Sequence, residues 1–395
     1  MARKLNAAAI PDGWKYDLLD KFATRCSGHT PSKTYPEYWD GGIKWISLTD
    51  SYRLDKGYVY ETDKEISLEG IKNSSAELHP AETVVLSRDA GIGKSGVMAV
   101  PMAVSQHFIA WKCDNQEKLN SWFLYNWLQL NKAEFERQAV GSTIKTIGLP
   151  YFKKLKIAMP PYPEQHKIAK ILSTWDKAIS TTEQLLANSQ QQKKSLMQQL
   201  LTGKKRLLDN NGVRFSGEWE SKSLSDIAEV YQPKTISQSM LTETGYPVYG
   251  ANGIIGLYEE FNHATEQIAV TCRGSTCGVV NWTQAQSWIT GNAMVINTDN
   301  FPAISKKFLF YVLDGSNLSY LISGSGQPQI TGNIKTHVVK IPALEEQQKI
   351  ATILSTADQE IIALQQNLDA LKQEKKALMQ QLLTGKRRVK VEVAA

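Results

Sequence analysis

Residues 167–174 read K-I-A-K-I-L-S-T and recur at 349–356 as K-I-A-T-I-L-S-T. Residues 196–204, L-M-Q-Q-L-L-T-G-K, recur unchanged at 378–386. Both belong to one repeat: Glu164–Arg206 aligns with Glu346–Arg388 without a gap, at a constant offset of 182, with 26 of 43 positions identical. The chain is therefore a tandem duplication in the order region, helix, region, helix. In the second copy Ile350, Leu354, Ala357, Ile361, Leu364, Leu368, Leu371, Lys375, Leu378 and Leu382 follow a strict 4,3 spacing. That spacing keeps one seam of a long helix turned toward a partner helix. In the first copy Ile168, Leu172, Trp175, Ile179, Leu186, Leu196 and Leu200 hold the same seam, and Thr182, Ser189 and Lys193 interrupt it, so its middle is expected to pack less well. Pro161 and Pro163 stand where a helix begins, and Gly203 and Gly385 where one ends. Some 37 residues at ~1.5 Å each make a rod of roughly 55 Å. An oligomerising coiled coil is the plain alternative, but both strands of a coil are present in one chain, and an antiparallel intramolecular pair satisfies both seams.

Outward from the helices, the preceding regions carry short β-rich runs (Gly42–Ser47, Thr83–Ser87, Ile268–Thr271, Ala293–Asn297) separated by Gly, Ser and Asn turns, with helical stretches such as Leu119–Lys132. The two regions diverge in sequence yet share landmarks. Each opens on Gly-x-Trp or a near equivalent (Gly13–Trp14, Gly217–Trp219). Each has an apolar strand followed by Arg and, five residues later, Gly (Arg88 to Gly93, Arg273 to Gly278). Each has a late Gly-Ser turn (Gly141–Ser142, Gly324–Ser325) before a strand running into Pro160 or Pro342. Two similar folds presenting different surfaces on a duplicated frame is what reading two different half-targets requires. The expected parts are 1–160 and 205–341 as paired α/β (α+β) domains, 161–204 and 342–386 as long antiparallel helices with pseudo-two-fold symmetry, and 387–395 as a tail.

Composition narrows the class. In 395 residues, 42% are hydrophobic and 21% charged, values of ordinary packed domains. No apolar run approaches the roughly 18 residues of a membrane span, and Met1–Ile10 has two basic residues but no apolar core, so no signal peptide is expected. Cys26, Cys113, Cys272 and Cys277 form no C-x-x-C pair and have no His at zinc spacing. They read as reduced thiols of a cytoplasmic protein, with no metal site expected. Net charge is only +6, and residues 213–340 hold 8 basic against 10 acidic side chains. A chain that held DNA alone would usually be more basic, so if this one binds nucleic acid, a partner is expected to supply much of the phosphate attraction.

Two motifs invite enzymatic readings and fail. Gly91-Ile92-Gly93-Lys94-Ser95 resembles the end of a P-loop, but the position five before Gly93 is Arg88, and Gly96–Val100 reads as strand where a phosphate cradle needs a helix. A tight turn exposing Arg88 and Lys94 is the expectation. Met159-Pro160-Pro161-Tyr162 resembles the Pro-Pro-Tyr signature of amino-methyltransferases, but Met159 cannot hold an exocyclic amine, and no Gly-rich strand–turn–helix is present. His29, His107, His166 and His263 are scattered, and no catalytic centre is expected.

At the doubled helices, with Gly28–Ser32 (GHTPS), Tyr249–Gly256 (YGANGIIG) and the two Arg-to-Gly turns, the chain resembles the specificity subunit of a type I restriction–modification system. The match covers nearly the whole chain, and the helices are its specific part. The resemblance implies two target recognition domains that each read a few base pairs of a bipartite double-stranded DNA target in the major groove, with the helices as a ruler for the unread gap. A ~55 Å rod spans about one and a half turns at ~34–36 Å per turn. It further implies two methyltransferase subunits bringing S-adenosylmethionine and two restriction–translocase subunits using ATP and Mg, with no cofactor in this chain. Partner or helix-pair contacts fall to Ile168, Leu172, Trp175, Ile179, Leu196, Leu200, Ile350, Leu354, Ile361, Leu364, Leu368, Leu371, Leu378 and Leu382. Arg and Lys suit guanine, Asn and Gln adenine. The candidates are Ser32, Lys33, Arg88, Lys94 and Lys145 in the first domain, and Gln232, Lys234, Asn252, Arg273, Gln327 and Gln329 in the second. The acidic balance of the second domain favours reading by amides. A scaffold that recruits partners without reading DNA, such as a silent specificity cassette or an anti-restriction decoy, remains the alternative.

Overall fold

The computed structural model describes residues 10–114, 117–141, 145–251, 253–324 and 326–391. It divides into two compact units: Met1–Thr182 with Asn367–Ala395, and Glu183–Gln366. Each takes one β-rich region together with the nearer part of both long helices, Tyr162–Leu200 and Leu344–Leu382.

The first unit contains β1 (Lys15–Leu18), β2 (Thr24–Ser27), β3 (Trp39–Ile46), β4 (Tyr58–Val59), β5 (Glu65–Ile66), β6 (Val84–Ser87), β7 (Ser95–Met98), β8 (Ala103–Val104), β9 (Phe108–Lys112) and β10 (Lys156–Met159). Among the described residues they form sheets in the orders β1-β10, β5-β3-β8 and β2-β9-β6-β7-β4. The second unit contains β11 (Glu220–Ser223), β12 (Glu229–Tyr231), β13 (Tyr246–Gly250), β14 (Gly253–Tyr258), β15 (Ile268–Thr271), β16 (Val280–Trp282), β17 (Trp288–Ile289), β18 (Ala293–Asn297) and β19 (Val338–Ile341). Its sheets run β11-β19, β14-β13-β17 and β12-β18-β15-β16. Apart from the extra edge strand β4, the two topologies correspond strand for strand, including the parallel pairs β3–β8 and β13–β17. Fully buried strands β6 and β15 explain why these segments read as unbroken apolar runs rather than alternating ones.

Helices Ser121–Leu130 and Lys306–Asp314 are capped by Asn120 and Ser305, whose side chains accept from the N–H three residues on. Each covers its unit's core, into which the ends of the long helices also pack. Ile168, Leu172 and Leu382 join the first core, and Leu200, Ile350 and Leu354 the second. Trp175, Ile179, Leu196, Ile361, Leu364, Leu371 and Leu378 are half-buried and Leu368 is buried. The seam is thus tightest where it meets a domain. Gly203 and Gly385 close the helices with φ +68 and +70, and the N–H of Lys205 and of Arg387 reach back to Gln199 and Gln381.

The interrupted stretch of the first seam is not poorly packed. Thr182 is buried and donates to Ala178 O. In the second unit Ser189 donates to Glu360 (3.1 Å), and Lys193 pairs with Asp358 (2.5 Å), which also accepts from Tyr311 Oη (2.6 Å). The repeat-related pair Lys375–Asp176 (2.5 Å) does the same in the first unit. Polar residues replace apolar seam positions there: Thr182 bonds back to its own helix, whereas Ser189, Lys193 and Lys375 each have a partner on the facing helix.

Two buried carboxylates anchor the helix starts. In the second unit Glu346 accepts from Arg206 Nε (2.6 Å) and Nη2 (2.7 Å), and Nη2 also donates to Gly217 O. In the first, Glu164 accepts from Arg388 Nε (2.7 Å), Arg388 Nη2 (2.8 Å) and Trp14 Nε1 (3.3 Å). Beside them, buried Gln165 and Gln347 make matching sets of bonds. Each carboxamide oxygen accepts from a helix-cap N–H (Asn120, Ser305), and each nitrogen donates to two carbonyls, Pro160 and Lys118, or Pro342 and Ala303. The repeat begins on these Glu-Gln pairs and ends on these arginines, so each copy's last residue clamps the other copy's first.

Candidate nucleic-acid interface

Backbone hydrogen bonds fix which loop residues correspond. In the first unit Ser87 N–H bonds Lys94 O, Gly93 N–H bonds Ser87 O, Arg88 N–H bonds His107 O and Ile147 N–H bonds Arg88 O. In the second, Thr271 N–H bonds Val279 O, Gly278 N–H bonds Thr271 O, Cys272 N–H bonds Asn292 O and Ile330 N–H bonds Cys272 O. Arg88 therefore corresponds to Cys272, and Arg273 to Asp89. The Arg-to-Gly spacing recurs in sequence but not in structure, because the second turn is one residue longer. A one-residue slip turns a side chain to the opposite face. Arg88 accordingly lies inward, donating to Ile147 O (3.2 Å), and Lys94 donates to Ser51 O (3.2 Å). The expectation that this turn exposes both is corrected: both are committed to backbone carbonyls. Gly91–Lys94 lie in the turn between β6 and β7, with Gly91 and Gly93 at positive φ, and Ser95 opens β7.

The late glycines mark a shared hairpin. Val140 and Thr146 exchange backbone hydrogen bonds, as do Ser323 and Gln329, with Gly141 and Gly324 at positive φ at the entry to equal-length tips. Ser142, Ser325 and the candidate Asn252 lie outside the described residues. On this common frame the chemistry differs. Asp89, bonded to His107 (2.6 Å) and accepting from Thr146 Oγ1, sits where the second unit has Arg273 beside Gln329.

In the second unit Gln232, Arg273 and Gln329 line one cleft of about 290 Å³ with Tyr231, Thr331 and Lys335. Arg273 and Lys335 are exposed, and neither side chain has a hydrogen-bond or ion-pair partner among the described residues. Gln232 Nε2 donates to Gly291 O, which holds the amide at the rim. Tyr231 Oη and His263 Nε2 are 2.9 Å apart, fixing the aromatic wall, and burial lowers the His263 pKa. Gln327 lies on the adjacent hairpin tip, and Lys234 is exposed outside the cleft. In the first unit a cleft of about 380 Å³ gathers Lys94 and Lys145 with Gly91, Ile92, Lys132 and Glu136. Lys132 is paired with Asp55 (2.6 Å), whereas Lys145 is exposed. Ser32 accepts from Thr34 N–H (3.3 Å) in its own turn, and Lys33 projects beside it. The cleft members Lys335 and Lys132 were not legible as site residues, since no local motif marks them and the fold brings them in.

No described helix is long and apolar enough to cross a membrane. The family model for the type I restriction modification DNA specificity domain matches residues 11–189 and again 216–373. The chain is 28% identical over 357 residues to the type I restriction enzyme EcoprrI specificity subunit of Escherichia coli, covering 86% of each chain. It is 24% identical over 429 residues to the MjaVIII specificity subunit of Methanocaldococcus jannaschii, covering 98% and 96%. Its fold matches the type I restriction-modification S subunit from M. genitalium with a TM-score of 0.65 at 17% identity, over 96% and 98% of the two chains. Two tandem α/β domains with long helices, matched twice over by the family model, define a DNA specificity protein. The chain belongs to the family of type I restriction–modification specificity subunits, the non-catalytic components that recognise DNA sequence.

Gln327→Ala with Gln329→Ala is expected to relax sequence preference in one half of the target by about 1–3 kcal/mol per lost bidentate contact. Sequencing of methylated sites checks it; an unchanged motif would remove these amides from the reading surface.

Proposed function

We propose that the two units each read one half of a bipartite duplex target, and that the two long helices, which continue from one unit into the other, set the unread gap. The observation that carries this reading is the shared hydrogen-bonded frame with different chemistry at matching positions, Asp89 and Thr146 against Arg273 and Gln329. A protein reading the same sequence twice would keep those pairs alike. The second unit reads through Gln232, Arg273, Gln329 and Lys335, the first through Lys33 and Lys145. The chain docks two methyltransferase subunits that bring S-adenosylmethionine and two restriction–translocase subunits that use ATP and Mg. The modest surplus of +6 supports this division, since partners would complete the positive clamp around the phosphates.

Exchanging residues 1–160 for the first region of another family member tests the assignment. The expected outcome is a new sequence in one half-site with the other half and the gap length kept. A changed gap would refute the helices as the ruler.

A further inference from the structure

Three metal-ligating side chains converge in the first unit. Cys26 lies on β2 opposite Ala110 of β9. Glu77 and His79 come from the segment ahead of β6, where His79 exchanges both backbone hydrogen bonds with Met102 (2.8 and 3.1 Å). The Cys26 sulfur, a Glu77 oxygen and a His79 ring nitrogen all lie within 4.8 Å of one another. A second observation points to a ligand: His79 is fully buried, yet neither ring nitrogen has a hydrogen-bond partner among the described residues. Buried polar side chains ordinarily find one.

We propose that Cys26, Glu77 and His79 bind one divalent ion of the zinc class. Thiolate, imidazole and carboxylate are the donors such ions take, and three protein ligands leave a fourth position for water. Bond lengths of roughly 2.0–2.3 Å place tetrahedral ligand atoms about 3.3–3.8 Å apart, so the cluster closes by about 1 Å around the ion. The Lys112 ammonium already contacts one Glu77 oxygen. The other lies 3.9 Å from His79 Nδ1, on the side where the ion binds. On binding, the Cys26 thiol proton passes to solvent and the ion takes the thiolate. The ion then ties β2 to the segment ahead of β6, beside the core that includes Met102 and Ala110. Sequence spacing hides the site, because Cys26 stands 51 residues before Glu77.

The test uses the full chain, stripped with a chelator and titrated with Co²⁺. One equivalent is expected to give sulfur-to-cobalt charge-transfer absorption and tetrahedral d–d bands that Zn²⁺ displaces. Cys26→Ser, a conservative change at a half-exposed position, is expected to abolish the charge-transfer band, and Cys277→Ser to keep it. Glu77→Gln, at an exposed position, is expected to weaken binding by at least roughly tenfold, as even outer-shell changes do. Absence of the band in the unsubstituted chain, or a band that survives Cys26→Ser, would overturn the site.

Discussion

Arg206→Ala is expected to destabilise the second unit by about 3 kcal/mol. The change leaves Glu346, 1% exposed, as a buried carboxylate without its cation, and removing one partner of a buried pair costs ~3–5 kcal/mol. The lower end applies because the Arg206 side chain keeps 20% of its surface in solvent. Arg388→Ala is expected to cost less: that side chain is 43% exposed, and Glu164 retains the Trp14 N–H. Urea unfolding of the two variants, compared at equal slope, measures both. Glu346→Gln in the Arg206→Ala background should recover part of the loss, since it removes the stranded charge. A loss near zero for Arg206→Ala would mean that the clamp does not hold the helix start.

Arg273→Glu carries the largest expected effect on DNA. An Arg contact to guanine is worth ~1–3 kcal/mol, and reversing the charge adds repulsion from neighbouring phosphates. Target affinity of the assembled complex is therefore expected to fall by at least about tenfold. The salt dependence separates the two kinds of contact. If Arg273 meets a phosphate, the slope of log affinity against log salt drops by about 1 and sequence preference holds. If it meets a base, the preference relaxes at one position of one half-site. Affinity within twofold of the unsubstituted complex would place Arg273 outside the interface.

The repeat made the frame legible. A 4,3 apolar spacing with Pro at its start and Gly at its end has few physical solutions, and Gly203 and Gly385 occupy the left-handed conformation their place in the repeat demanded. Ile268–Thr271 and Ala293–Asn297 were readable as strands because turn residues bracket short apolar runs. Side-chain direction was not readable. Arg88 and Arg273 share a spacing to glycine, but one extra residue in a turn separates a tethered guanidinium from a free one. Lys193 looked like a fault in the seam because its partner, Asp358, stands 165 positions away. The cleft around Arg273 drew Lys335 from a distant segment for the same reason: local pattern fixes periodicity, whereas convergence depends on tertiary packing.

Selection of a split target by two different readers is the function proposed for this chain. A genome-wide map of methylated adenines in cells producing the chain with its methyltransferase subunit tests it most directly. The expected result is a bipartite motif with two unlike halves and a fixed gap, absent when the chain is omitted. A co-purifying complex that yields no motif, or a motif with two identical halves, would contradict it.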